Sequence, residues 1–394
     1  MHTLSRDILK KNKELLLHQI ETGHLHSLNN SDGAVFYISG AYPGVWLEHC
    51  YDGVALADYD PQYMAIAENQ VRLFLKNQKP SGQLPCYVWQ DRIGYGWTQE
   101  CVSFGLVCLQ LIRKKPEDKR LLEDCYRGVT AWIDWLYRTH MPHKTGLVEM
   151  FCGFDTGHDN SGRLNGMKYR EALSFADGEL VPQDDPVLPA LAPDMNAVFY
   201  GNLRAAMAMA ERLSRWEEAA AWNAKAEAVR KKLFDYCYDP EDLFFYDVDK
   251  NGKQRKIRSI SITNVFCEGV VDYDLGNEIF ERHLHNPREF WTPYPFPAIA
   301  VNDACWVQNS DGNSWSFYSQ GLTALRTLLW MEHYGRTKEL EEMMSRWVEA
   351  WTNSTGTQFG QELHPITGKP SACSQFYSSC MLYYLHAIKR LYDI

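Results

Sequence analysis

Apolar residues recur along this chain with the 3.6-residue period of an amphipathic helix. Met64, Ala67, Val71 and Phe74 share one face of the segment after Asp60-Pro61, whose proline suits a first helical turn. A second stripe runs through Met195, Phe199, Leu203, Ala206 and Ala210. Ala219, Trp222, Ala226, Val229 and Leu233 form a third, and Leu340, Met343, Trp347 and Trp351 a fourth. The opening segment, through Leu17, is amphipathic, and the Tyr-rich stretch from Phe376 to Leu391 predicts a last long helix. One segment reads differently. Leu243 to Lys253 has the pattern of a strand, an Asn251-Gly252 turn and a return strand, so a small β-hairpin is expected near 243–258. The segment also imitates the start of a calcium loop through Asp247, Asp249, Asn251 and Gly252. Its twelfth position, however, is Arg258, where a bidentate Glu is required.

Between the helical segments lie stretches rich in Gly, Asp, Asn and aromatics, at 28–47, 79–97, 141–192, 236–264, 286–318 and 352–374. Long loops of this kind inside a folded domain are usually functional. Helices alternating with such loops, without a βαβ rhythm, predict an all-α fold: an (α/α) toroid with its loops gathered over one mouth. No Gly/Ser linker or charge block divides the chain, so 1–394 is expected to form a single domain.

With 45% hydrophobic and 23% charged residues in 394, the chain can fill a large core. A net charge of −10 and the lack of any Lys/Arg run argue against nucleic-acid binding. Several of the 13 Trp, 22 Tyr and 17 Phe fall in the loops. Flat aromatic walls suit the C–H faces of sugar rings, although core packing accounts for most aromatics. Eleven Cys without a CxxC pair, and an opening that is no signal peptide, predict reduced thiols in a cytoplasmic protein. No stretch reaches membrane-span length, so no membrane partner is expected. His24-Leu25-His26 and His283-Leu284-His285 lack neighbouring ligands at zinc spacing, and no phosphate-binding glycine motif occurs. Neither metal nor cofactor is therefore expected, and nothing indicates an oligomeric state.

Two loop segments carry the candidate chemistry. In Phe151–Arg163, Asp155 and Asp159 stand four apart among Gly, Asn and Ser, a poor helix but a loop able to aim side chains into a cleft. Composition alone equally allows a solvated turn in which Asp caps backbone N–H groups. In Thr357–Gly368, Glu362 precedes a His-Pro turn. Two carboxyls on separate loops are what glycoside hydrolysis requires, one to protonate the departing oxygen and one to activate water or attack directly.

These segments resemble the inverting (α/α)6-barrel glycosidases of glycoside hydrolase families 37 and 63. Those families include trehalases, processing α-glucosidases and bacterial mannosylglycerate and glucosylglycerate hydrolases. The early W-x-W-D region and its Asp-Pro helix are echoed by Gly44-Val45-Trp46-Leu47-Glu48-His49 and Asp58-Tyr59-Asp60-Pro61. The E-S-G-x-D-N-S-P-R motif is echoed by Asp155 to Arg163, and an Asp-Leu-Asn motif by Asp194-Met195-Asn196. A Gly-Pro-x-Trp segment is matched loosely by Gly312-Asn313-Ser314-Trp315, and the late Glu before a Pro-x-Thr-Gly turn by Glu362. The order is kept from Trp46 to the last helix. Departures are Glu48 for Asp, Asp155 for Glu, Gly162 for Pro, and an incomplete Gly-Pro before Trp315.

The resemblance implies an inverting hydrolase of a small α-glucoside or α-mannoside, with Asp159 as general acid and Glu362 as general base. It implies substrate contacts from Trp46, Glu48, Trp89, Asp155, Asn160, Arg163, Asp194, Asn196 and Trp315. Asp194 and Asn196 also suit helix capping, and Arg163 also suits pairing with Asp155. Burial and the negative field of Asp155 and Glu362 are expected to keep Asp159 protonated. The alternatives are a sugar 2-epimerase or isomerase, which needs a pair of His near the barrel axis, and a non-catalytic carbohydrate-binding protein.

Overall fold

The computed structural model describes residues 4–90, 92–170, 178–354 and 358–394. Asp91, 171–177 and 355–357, which fall in three of the expected loops, lie outside the described residues, as do residues 1–3 of the opening segment. Twelve α-helices run through what is described. They are α1 (Arg6–Gln19), α2 (Cys50–Tyr59), α3 (Met64–Lys76), α4 (Phe104–Lys114), α5 (Lys119–Thr139) and α6 (Pro193–Arg212), followed by α7 (Trp216–Cys237), α8 (Thr263–Cys267), α9 (Tyr273–Ile279), α10 (Gly321–Trp330), α11 (Thr337–Thr352) and α12 (Ser378–Tyr392).

The even-numbered helices form a closed ring. Each packs on the next, from α2 on α4 to α10 on α12, and α12 returns to α2. Odd-numbered helices lie outside, α3 and α5 against α4, α7 against α6, and α1 and α11 against α12. Burial separates the two layers. Inner α6 buries 15 of its 20 residues, whereas outer α7 buries five of 22. The result is the (α/α)6 toroid that the alternation of helices and loops predicts. The expected stripes on α7 and α11 are the faces turned inward, with Ala219, Ala226, Val229 and Leu233 buried on one and Leu340, Met343, Trp347 and Trp351 on the other.

An inner helix has no solvent face, so its polar side chains must find partners inside. Asp52 of α2 accepts hydrogen bonds from the hydroxyls of Ser378 (2.5 Å) and Ser379 (2.9 Å) on α12, where the ring closes. Before α4, Glu100 accepts from Phe104 N (2.5 Å), Asn202 Nδ2 on α6 and Trp132 Nε1 on α5 (both 2.9 Å). Glu268, just after α8, accepts from both the N–H and the hydroxyl of Ser103, at 2.7 Å each.

The expected hairpin is present. Asp247–Val248 pairs antiparallel with Gln254–Arg255, and Gly252 takes the left-handed conformation (φ +80°) that its turn requires. The Asp249 carboxylate accepts from the N–H groups of Asn251 (2.9 Å) and Lys253 (3.0 Å), so it caps its own turn. Two other short pairings matter for the site. Val45–Trp46 pairs with Tyr87–Trp89, and Ser319–Gln320 pairs with Glu362–Leu363.

Helix packing here leaves no room at Gly201 of α6, where an added Cβ would stand 1.7 Å from Glu268 Oε2 and 2.7 Å from Ser103 Oγ. Gly201→Ala gains helix propensity but must break the Ser103–Glu268 contact. The expected result is a net loss of roughly 1–3 kcal/mol, read as a lower melting temperature by calorimetry. An unchanged or raised Tm would show that Glu268 is free to move aside.

Candidate active site

The loops between helices meet over a pocket of about 230 Å³. Five of the six long loops expected from composition supply its lining; the sixth, 236–264, stands behind it. Tyr42, Trp46, Trp97, Phe154, Trp315 and Tyr377 form aromatic walls, and Glu48, His49, Gln99, Asp159, Asn313 and Gln361 supply the polar groups. Trp46 stacks over Trp97 with ring centroids 6.4 Å apart and a 14° interplanar angle, and Trp97 leans on Phe154 at 5.3 Å. Trp315 is backed by His158, stacked at 4.2 Å. Burial drives the His158 pKa down to about 3, so this ring is a neutral support.

Two carboxyls approach from separate loops. Asp159 lines the pocket, and its Oδ1 is buried without a hydrogen-bond partner. Burial, then the neighbouring Glu48 carboxylate, push its pKa up to about 8, while a hydrogen bond from the Asn313 side chain opposes the rise. Glu362, fully buried, sits on the strand pair with Ser319–Gln320, immediately behind the lining residues Gln361, Asn313 and Trp315. Its Oε2 accepts from the Gln320 side-chain amide and from Ser314 N at 3.2 Å, and its Oε1 has no partner. Burial raises its pKa, opposed by donors from Gln320, Ser371, Ser314 and Asn313. Asp159 thus lines the pocket while Glu362 is tied to Ser314 behind its wall, and each has one oxygen unclaimed by the protein. A buried acid rich in donors beside one poor in donors can divide the roles of base and acid.

The profile of the mannosylglycerate hydrolase MGH1-like glycoside hydrolase domain matches residues 42–379. The chain belongs to this family. It is a glycoside hydrolase domain. No curated protein sequence matches it. Among solved structures it is similar to a family 63 mannosylglycerate hydrolase from Thermus thermophilus in complex with glucose. That match has a TM-score of 0.76 and 17% identity over 95% of this chain and 98% of the other. It is also similar to the neutral trehalase Nth1 of Saccharomyces cerevisiae, with a TM-score of 0.68 and 12% identity over 96% of this chain and 80% of that one. At these identities the structural likeness speaks for the (α/α)6 fold. Among the described residues no helix is long and apolar enough to cross a membrane.

Within this glycosidase, the structure brings Trp46, Glu48, Asp159 and Trp315 to the pocket and sets Glu362 just behind its wall. The other residues expected at the sugar are engaged elsewhere. Asp155 accepts from Thr98 N (2.9 Å), Phe151 N (2.7 Å) and Cys152 N (3.1 Å), so its carboxylate holds the loop and leaves the charge beside Asp159 to Glu48. Arg163 does not pair with Asp155. It donates to Asp194 at 2.6 and 2.9 Å and to Asp247 at 2.7 and 2.9 Å. Burial raises the pKa of Asp247, whereas Arg163 outweighs burial and lowers that of Asp194. One guanidinium serves both, and Asp194 is the firmly ionised partner because it also sits in the positive first turn of α6. Asn196 pins Val148 through both its amide groups, at 2.9 Å each, and donates to Ala192 O at 3.0 Å. Asn160 is exposed and reaches Asn313 O at 3.4 Å, bracing the 309–316 loop. Trp89 is half-buried against Gly44, away from the lining.

Sequence reasoning missed Tyr42, His49, Trp97, Gln99, Phe154, Asn313, Gln361 and Tyr377 as lining residues. Tyr42, Trp97 and Phe154 are aromatics inside expected loops, the signal that could have found them. Of the histidines, only His49 lines the pocket, so the pair that an epimerase needs is not assembled among the described residues.

Arg163 is buried and Asp159 half-buried, and they should respond oppositely to substitution. Arg163→Met leaves two carboxylates in the interior without their cation and should cost about 3–5 kcal/mol. The Asp159 pKa is raised in the fold, so its carboxyl favours the folded state least as pH climbs through about 8. Asp159→Asn should therefore keep or raise Tm, most clearly above that pH. Calorimetry of both variants from pH 6 to 9 checks this; an Arg163→Met protein as stable as the parent would remove Arg163 from the account.

Proposed function

We propose that this domain hydrolyses a small α-glycoside with inversion, Asp159 acting as general acid and Glu362 as general base. The observation that carries the reading is a pair of carboxyls from separate loops, Asp159 lining the aromatic pocket and Glu362 behind its wall beside Ser314, each with an unpartnered oxygen. Asp159, with its pKa raised to about 8, holds a proton at neutral pH and faces the pocket. Burial raises the pKa of Glu362 too, but its carboxylate has several donors that favour the ionised form. In the reaction, the Asp159 carboxyl gives its proton to the glycosidic oxygen as that oxygen's bond to the anomeric carbon breaks. Water forms the new bond to the same carbon from the opposite face, and Oε1 of Glu362 takes the water's proton. The aromatic walls hold the ring.

The charge of the pocket bears on the leaving group. Among the described lining residues are two acids and neither Lys nor Arg, and Arg163 is consumed by Asp194 and Asp247. The undescribed segments 171–177 and 355–357 contain no Lys or Arg either. A neutral glycoside suits this field better than an anionic conjugate such as mannosylglycerate.

The test is a panel of α-glucosides and α-mannosides, neutral disaccharides beside glycerate conjugates, with products separated by chromatography and the anomer followed by proton NMR. The β-sugar should appear first. Asp159→Asn should lose roughly 10²–10⁴-fold on a poor leaving group and far less on a glycosyl fluoride, whereas Glu362→Gln should be impaired on both. The sign of the pH profile follows from the acid. Activity needs Asp159 protonated, so kcat/KM on a poor leaving group should fall as pH rises through about 8. Glu48→Gln, which removes a like charge, should move that limb downward. Appearance of the α-sugar first, or full turnover by both carboxyl variants, would overturn the assignment.

A further inference from the structure

The ring of inner helices closes beside the pocket, and His49 and Tyr377 meet at that seam. His49 stands at the N-cap of α2 and Tyr377 at the N-cap of α12, and both line the pocket. Only 2% and 3% exposed, they are joined at 2.6 Å between His49 Nε2 and the Tyr377 hydroxyl, with their rings edge to face. Burial, then the charge of Glu48, raises the Tyr377 pKa well above its usual value, so the hydroxyl keeps its proton. The other ring nitrogen has no such partner. His49 Nδ1 is buried without a hydrogen bond and stands 3.3 Å from Glu48 Oε1. Glu48 lacks what that nitrogen can offer. Its side chain lines the pocket, 13% exposed, and among the described residues no Lys or Arg pairs with its carboxylate. The Cys101 thiol is a weak donor 4.0 Å from Oε2, and Arg326 reaches only the Glu48 backbone carbonyl, at 3.4 Å.

We propose that His49 is a positioning residue for Glu48: Tyr377 O–H donates to Nε2, so that Nδ1 carries the ring's hydrogen and steadies the Glu48 carboxylate at the pocket. An imidazole with one hydrogen donates at one nitrogen and accepts at the other, and its neighbours decide which. A lone pair on Nδ1 would face a carboxylate oxygen and be repelled, whereas an N–H there is attracted. The 3.3 Å contact is electrostatic as it stands, and a small turn of the carboxylate makes it a hydrogen bond. His49 itself is held on two sides, because Gln70 donates to its carbonyl at 3.0 Å and Tyr377 holds the far side of the ring. Glu48 is then a fixed acceptor for the hydroxyls of a sugar on the aromatic walls, its rotamer chosen before the ligand arrives.

The inference rests on the pocket being the sugar site of the proposed hydrolase, and two measurements keep the two readings apart. The first needs no turnover. With isotope-labelled histidine, long-range proton–nitrogen correlation spectra identify His49 by the signals that His49→Gln removes. Nδ1 should carry the hydrogen and Nε2 none, and the Nε2 resonance should move in Tyr377→Phe as its donor is lost. A hydrogen on Nε2, or a bare Nδ1, would overturn the relay whatever the protein does to a sugar. The second measurement uses the shapes of two amides. Asn places its NH2 where Nδ1 stands, so His49→Asn keeps a donor for Glu48 and loses Tyr377. Gln places its amide near Nε2, so His49→Gln keeps the Tyr377 contact and loses the donor. Both are assayed on methyl α-D-glucopyranoside and methyl α-D-mannopyranoside, with Glu48→Gln and the double variant Glu48→Gln/His49→Gln beside them. His49→Gln should raise KM roughly 10-fold, the effect of one hydrogen bond to a charged acceptor, with kcat changed less than about 3-fold. His49→Asn should stay within about 3-fold of wild type in both constants. In the Glu48→Gln background, His49→Gln should add no further loss. Rescue by Gln rather than Asn, equal losses in both, or a multiplied loss in the double variant would leave His49 as a brace of the seam alone. If wild type turns over neither glycoside, the proposed reaction on these sugars falls, and the spectra still decide the relay.

Discussion

A guanidinium that is 1% exposed keeps its charge only if carboxylates replace the water it has lost, and Arg163 has two of them. Asp194 lies in the first turn of inner helix α6, Asp247 belongs to the hairpin, and Arg163 ends the loop that carries Asp155, His158 and Asp159. Three segments far apart in sequence are thereby fixed to one planar group. The fork geometry matters: both carboxylates are held by two donors, which a lysine could not match. With Arg163 pinned, His158 is set against Trp315, and Asp159, one residue further along, is left to face the pocket. Asp155 completes the frame by spending its carboxylate on three backbone N–H groups. The loop is thus held rigidly by residues that do not touch the pocket, as a preorganised site requires.

The two remaining carboxyls differ through what surrounds them. Glu362 is fully buried and Asp159 half-buried, and removal from water raises both pKa values. At Glu362 an amide, backbone N–H groups and a hydroxyl oppose the rise that burial causes. Asp159 receives one amide and the repulsion of Glu48. The asymmetry is set by neighbouring donors rather than by the acids themselves. Glu48 also shapes the loop directly: a Cβ on Gly157 would meet its Oε2 at 2.5 Å, so the glycine lets the acid's loop close against that carboxylate.

What the sequence disclosed follows from which signals survive folding. Outer helices advertise themselves because one face is wet; the stripes on α7 and α11 read true for that reason. Inner helices are buried all round, so α2, with nine of ten residues buried, carries almost no polar rhythm to read. The loops were legible from composition, and motif order singled out Asp159, which lines the pocket, and Glu362, which sits behind its wall. Direction was not. Asp155, Arg163, Asp194 and Asn196 have the chemistry of sugar contacts, yet each satisfies a buried partner instead, a choice that depends on tertiary neighbours such as Asp247, 84 residues from Arg163. Neutral amides suffered most. Asn313 and Gln361 lay inside the quoted segments but carry no charge to mark them.

The departures from the resembled motifs then divide by position. Gly162 is required by packing, since a Cβ there would stand 2.8 Å from both the Cβ and the carbonyl oxygen of Cys305. Asp155, one methylene shorter than Glu, still reaches its three N–H groups. Neither touches the lining, so neither changes what the pocket offers a ligand. Glu48 and Asn313 do line it. Glu48 extends a carboxylate one methylene further toward the acid loop, and Asn313 adds an amide where an imino acid would present only carbon. Structural departures are thus absorbed in the loop frame, whereas those at the pocket alter charge and hydrogen bonding around Asp159. Differences in chemistry between this domain and its relatives should therefore trace to Glu48 and Asn313 before any of the buried residues that hold the loops.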